Sequence, residues 1–127
     1  MPKYDAENFD PPAPVAFVTL RNPATGASLS SVPMLVDTGA DVTLLPREAV
    51  DKLGIATTGE EAYEVQGFDG EPKLADMVQL EMIFLDRRFT GKFLLMDQST
   101  GILGRNIRNA IPILFDGPAE QWDEYKT

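Results

Sequence analysis

The residues best suited to chemistry lie in one short run, Met34-Leu35-Val36-Asp37-Thr38-Gly39-Ala40-Asp41-Val42-Thr43-Leu44-Leu45, where an Asp-Thr-Gly sits between two apolar stretches. A carboxylate at a strand end among apolar neighbours costs free energy unless it is hydrogen-bonded or partnered. Gly39 permits an unusual backbone angle and close approach, and Ala40 adds almost no bulk. Further along, Gly101-Ile102-Leu103-Gly104-Arg105-Asn106 repeats the theme of an apolar pair followed by glycine. The chain contains no histidine and no cysteine. That excludes a Ser-His-Asp triad, a Cys nucleophile, a thiolate or imidazole zinc site and a disulfide framework. Carboxylates are left as the proton-transfer groups of any enzyme built on this chain.

The charge balance is 11 Lys and Arg against 20 Asp and Glu, a formal net of −9. A phosphate footprint needs clustered cations, so nucleic acid is not the expected partner. No stretch approaches the roughly 18 apolar residues of a membrane helix, and residues 1–10 lack the basic and apolar regions of a signal peptide. A cytoplasmic location is the expectation, in keeping with the missing disulfides.

The elements that must position Asp37 read as short strands. Residues 1–14 hold Pro2, Pro11, Pro12 and Pro14 and form an arm that cannot be a central strand. Val15 to Leu20 and Val32 to Val36 read as a hairpin across Asn22-Pro23-Ala24-Thr25-Gly26. Pro46 to Leu53 reads as a two-turn helix stopped by Gly54. Tyr63 to Val65 and Leu74 to Leu85 read as strands about a hairpin tip, Gly67-Phe68-Asp69-Gly70. In the longer strand Leu74, Val78, Leu80, Met82 and Phe84 alternate against Gln79 and Glu81, predicting one buried face. Asp86-Arg87-Arg88 reads as a solvated turn. Phe89 to Met96 and Ile111 to Phe115 follow as strands, with a short helix from Arg105 to Ala110 between them. Residues 117–127, with Glu120, Asp123 and Glu124, read as an exposed acidic tail. The body, residues 15–116, is then a small β-barrel or sandwich.

Three motifs in register resemble the retropepsin-like aspartic proteases, the single-domain family of retroviral proteases and their bacterial and cellular relatives. They are Leu35-Val36-Asp37-Thr38-Gly39-Ala40-Asp41, the tip Val65-Gln66-Gly67-Phe68-Asp69-Gly70 where that family has its flap, and Ile102-Leu103-Gly104-Arg105-Asn106 at its Ile/Leu-Gly-Arg motif. The resemblance implies an all-β fold, a small closed barrel of the acid-protease type with one or two short helices. It implies peptide-bond hydrolysis by two aspartates sharing one proton, because like charges roughly 3 Å apart cannot both ionise. The chain holds one Asp-Thr-Gly, so a homodimer would supply the second Asp37 across a two-fold axis. No metal or cofactor is implied.

Residue by residue, the resemblance makes Asp37 catalytic, with the Thr38 hydroxyl bonding across the dimer and the Gly39 backbone close to the substrate. Asp41 would pair with Arg105 beneath the cleft, while Gln66, Gly67, Phe68 and Asp69 close over a bound peptide. Ala40, Ile102, Leu103, Gly104 and Arg105 would support the loop. In viral members both termini interleave into a dimer sheet. The proline-rich arm and charged tail here imply a different or weaker interface, and doubling a charge of −9 opposes association at low salt. The alternative function is a catalytically silent module of the same fold that dimerises or holds a peptide as an added strand. A two-carboxylate glycosidase would need a second placed acid and an aromatic sugar cleft, and the single tryptophan, Trp122, sits near the tail.

Overall fold

A computed structural model describes residues 2–59, 61–65 and 72–126. Its strands are β1 (Tyr4–Asp5), β2 (Ala13–Arg21), β3 (Ser28–Val36), β4 (Leu44–Pro46), β5 (Glu61–Val65), β6 (Pro72–Phe84), β7 (Arg87–Met96), β8 (Gly101–Leu103), β9 (Ile113–Asp116) and β10 (Gln121–Glu124). Two short helices, α1 (Arg47–Lys52) and α2 (Arg105–Arg108), complete it.

Eight strands form one sheet in the order β1-β2-β3-β8-β4-β7-β6-β5, and an added pairing of β2 with β6 closes it on itself. The ring is seamed by the period-two pattern. Ala16, Val18 and Leu20 of β2 point inward beside Met34 and Val32 of β3, with Ala16 opposite Met34 and Val18 opposite Val32. Val78, Leu80, Met82 and Phe84 of β6 fill the same interior, as their alternation requires. Outside, Arg21 and Glu81 are register partners across the β2–β6 closure and form an ion pair at 3.0 Å. The β2–β3 turn is held by Asn22, whose Oδ1 accepts from Ala24 N–H and whose Nδ2 donates to the Leu53 carbonyl at the end of α1. Gly54 follows with φ +67°, a conformation that ends the helix cheaply only for glycine.

Two expectations fail. Leu74 is 54% exposed rather than core, because it lies where β6 extends past β7 and pairs only with β5. Nor is the tail exposed. It folds back as β10 against β9, buries Trp122 to 2% exposure beside Phe84, and ties Glu124 to Arg87 at 3.0 Å. Arg87 therefore belongs to β7 and has a partner. The physical reason is the apolar indole, which joins the main core beside Phe84 and donates Nε1–H to the Val15 carbonyl. The arm joins it: β1 pairs with β2, Tyr4 N–H donates to Glu120 O, and Trp122 N–H donates to Pro2 O. Among the described residues no helix is long and apolar enough to cross a membrane.

Candidate active site

Asp37 is the first residue past the end of β3. Its backbone N–H donates to Leu103 O at 3.2 Å, because β8 runs parallel to β3 with Val36 opposite Leu103. The chain then turns through Thr38 and Gly39 and re-enters the sheet as β4 on the other side of β8, where Leu44 faces Ile102. One short strand thus separates the two limbs of the Asp37 loop. Asp37 is half-buried, while Thr38, Gly39 and Asp41 are exposed. Gly39 N–H donates to Asp37 Oδ1 at 2.8 Å, which fixes one carboxylate oxygen from within the loop. A Cβ on Gly39 would come within 3.2 Å of that oxygen, so glycine is what the close approach favours.

The second motif braces this loop. Arg105 N–H donates to Ala40 O at 2.8 Å, and its Nη1 donates to Thr38 O, also at 2.8 Å. The expected tie between the two motifs is present, but by a different bond. Among the described residues no ion pair joins Arg105 to Asp41. Asp41 points into water, where pairing gains only about 0–1 kcal/mol, whereas the Thr38 carbonyl lies within the guanidinium's reach. Gly104 packs against the Val42 backbone so closely that any Cβ would overlap it. Leu103 is fully buried, and Ile102 is half-buried beside Val42 and Met77 over the apolar cluster Leu44, Ala75, Leu94 and Met96.

Thr43 and Asn106 also belong to the brace, although the motifs alone gave them no role. Thr43 is 1% exposed; its hydroxyl donates to Asn106 Oδ1 at 2.7 Å and accepts from Gly104 N–H at 3.0 Å. A hydroxyl inside the run Val42-Thr43-Leu44-Leu45 is the signal that could have found it, since a buried polar group must be satisfied. The expected flap residues Gln66, Gly67, Phe68 and Asp69 lie outside the described residues. Their flanks pair antiparallel up to Val65 opposite Pro72. Among the described residues no three carboxylates converge on a point that could hold a metal ion.

A closed, mostly antiparallel sheet that presents an Asp-Thr-Gly turn braced through a parallel neighbour strand and a Gly-Arg motif is the architecture of the retropepsin-like aspartic proteases. Comparison with known proteins agrees: residues 24–107 match the family model described as aspartyl protease, and the chain belongs to that family. Among solved structures it is similar to EIAV protease, determined in complex with the inhibitor HBY-793. The two share 21% identity over 84% of this chain and 91% of that one, with a TM-score of 0.57, a likeness of fold. No curated protein sequence matches.

Proposed function

We propose that this chain is an aspartic endopeptidase that acts as a homodimer, with Asp37 of each protomer on the two-fold axis. The observation that carries the reading is the Asp37 turn: a half-buried carboxylate, one oxygen held by Gly39 N–H, presented between buried Val36 and exposed Thr38 in an aspartyl protease fold. A single Asp-Thr-Gly per chain supplies half of the required pair. In this reading one Asp37 takes a proton from a bound water as the water attacks the peptide carbonyl carbon. The other gives its proton to the carbonyl oxygen.

The remaining residues position. The Thr38 hydroxyl, which has no hydrogen-bond partner among the described residues, bonds to the opposite protomer. Gly39 lets an extended substrate backbone approach, and Asp41 at the exposed end of the loop contacts the peptide. Gln66 to Asp69 cover it. Arg105 keeps the loop in place through Thr38 O and Ala40 O.

The test is Asp37→Asn against a peptide library. Turnover should fall by at least ~10²–10⁴-fold, the usual worth of a general acid or base, with an unchanged thermal unfolding midpoint. Unchanged cleavage by the variant would sink the assignment.

A further inference from the structure

The arginines of this chain leave one carboxylate of the Asp37 loop without a cation. Arg21 is engaged by Glu81, Arg47 by Asp76 and Asp97, and Arg87 by Glu124. Arg105, which does touch the loop, uses its Nη1 on Thr38 O and its backbone N–H on Ala40 O. Asp41 has neither an ion pair nor a hydrogen bond from its carboxylate among the described residues, and it is exposed. Its backbone is nevertheless held in place. The Ala40 carbonyl is bonded by Arg105 and the Val42 backbone is pressed against Gly104, so the chain on either side of Asp41 is fixed to the second motif. Asp41 shares exposure with Thr38 and Gly39 of the same loop, while Val42 beside it joins Met77 and Ile102 in a half-buried apolar group. An exposed carboxylate without a partner adds nothing to the fold. Held by a braced backbone next to an apolar surface, four residues from the acid that does the chemistry, it is suited to recognition.

We infer that Asp41 is a specificity residue, and that the substrate is a peptide carrying a lysine or arginine on each side of the bond that is cut. This rests on the endopeptidase reading above and names its substrate class. Two-fold symmetry extends the argument to both sides: the copy that supplies the second Asp37 supplies a second Asp41, at the same offset across the axis. An extended peptide laid over the axis passes one unpaired carboxylate in each half. A cationic side chain meets this group without displacing an arginine, as it would have to if Arg105 held Asp41. The stem of lysine or arginine can lie along the apolar surface of Val42 and Ile102 while its charged end reaches the carboxylate. The formal charge of −9 per chain acts in the same direction over longer range, concentrating basic peptides at the surface. Acidic residues in the same places are rejected by like-charge repulsion. An exposed pair of this kind is worth up to about fivefold in affinity, so two basic residues on opposite sides should give up to about 25-fold.

The test moves a lysine, position by position, through an otherwise uncharged peptide library, with norleucine as the uncharged control at each place. Binding is read by fluorescence anisotropy on Asp37→Asn, and cleavage, as kcat/KM, on the parent. The parent should favour lysine over norleucine, with maxima at equal distances on the two sides of the cut, and a doubly basic peptide by up to about 25-fold. Asp41→Asn, on either background, should bring the lysine-to-norleucine ratio close to one, and Asp41→Lys should invert the preference toward glutamate. Glu48→Gln removes an exposed acid of α1, makes the same change in net charge as Asp41→Asn, and should leave the ratio at the parent's value. The inference is overturned if the parent shows no lysine preference, if its maxima fall on one side of the cut only, or if Asp41→Asn leaves the ratio unchanged. It is overturned equally if Glu48→Gln lowers the ratio as far as Asp41→Asn does, the mark of net charge alone. Binding and cleavage separate this result from the proposed function. Lysine preference in binding that depends on Asp41, with no cleavage by the parent, supports the recognition and removes the protease reading. Cleavage without lysine preference does the reverse. A chain that neither binds nor cuts any of the peptides overturns both.

Discussion

Asp37 would be a poor catalyst if its loop could wander, and the residue that limits wandering most economically is Thr43. Its one hydroxyl satisfies both Gly104 N–H and Asn106 Oδ1 in a position with 1% exposure. Gly104 cannot relax toward another acceptor, since the Val42 backbone already fills the space beside its Cα. Thr43→Val keeps the shape and removes both bonds, so a buried N–H and a carbonyl oxygen lose their partner together. We expect a loss of about 1–3 kcal/mol in urea denaturation, the usual cost of an unsatisfied buried polar group, with Thr43→Ser restoring most of it. Equal midpoints for the valine and serine variants would show that the hydroxyl is not what holds Gly104. The bond from Arg105 to Thr38 O acts in the same direction, and it accounts for the guanidinium being needed where Asp41 is not its partner.

The two chain ends form the least anticipated element. Trp122 joins the main core, packs at 6.1 Å from the Phe84 ring centroid and is covered by the arm. Replacing it with alanine should cost about 3–5 kcal/mol, as for other buried large aromatics, and should release the arm together with β10. Proteolysis within residues 2–12 would then speed up well before global unfolding, and equal protection of variant and parent would contradict the coupling. Acid should loosen the same element. Hydrogen bonding to Arg87 holds the Glu124 carboxyl below its ordinary value of 4.5, and Asn8 holds Asp5 below 3.8. For a lowered carboxylate the stabilisation is present above the ordinary value and disappears as pH falls through the folded one. The barrel strands were legible because Val15 to Leu20 is a β-rich run and Val78-Leu80-Met82-Phe84 alternates against Gln79 and Glu81. β10 was not, because Gln121-Trp122-Asp123-Glu124 offers one apolar side chain in a charged setting, and its burial depends on contacts with Val15 of β2 and Phe84 of β6. The Asp37 turn was legible for the opposite reason: a charged residue between apolar runs has no packing rationale. Within the site, the partner of Arg105 and the roles of Thr43 and Asn106 required three-dimensional placement to identify.

At the scale of the whole molecule, the proposed dimer must form against its own charge. Each protomer carries a formal −9, so a dimer carries −18. Apolar burial and hydrogen bonds at an interface are short-range and barely depend on ionic strength, whereas the repulsion is long-range. The Debye length shrinks from roughly 30 Å at 0.01 M salt to roughly 3 Å at 1 M, so salt should remove mainly the opposing contribution. Association, and with it peptide hydrolysis per chain at low enzyme concentration, should therefore rise with salt at neutral pH. Mild acid should act in the same direction as carboxylates begin to protonate. The dimer is accordingly expected to be tighter in mild acid with salt than at neutral pH without it. Sedimentation equilibrium across a salt series and a pH series, read beside Trp122 emission, checks both limbs. A dimer tighter at pH 7 in low salt than at about pH 5 in about 0.5 M salt would mean that attractive charge pairs, not short-range contacts against a repulsive background, hold the two copies together.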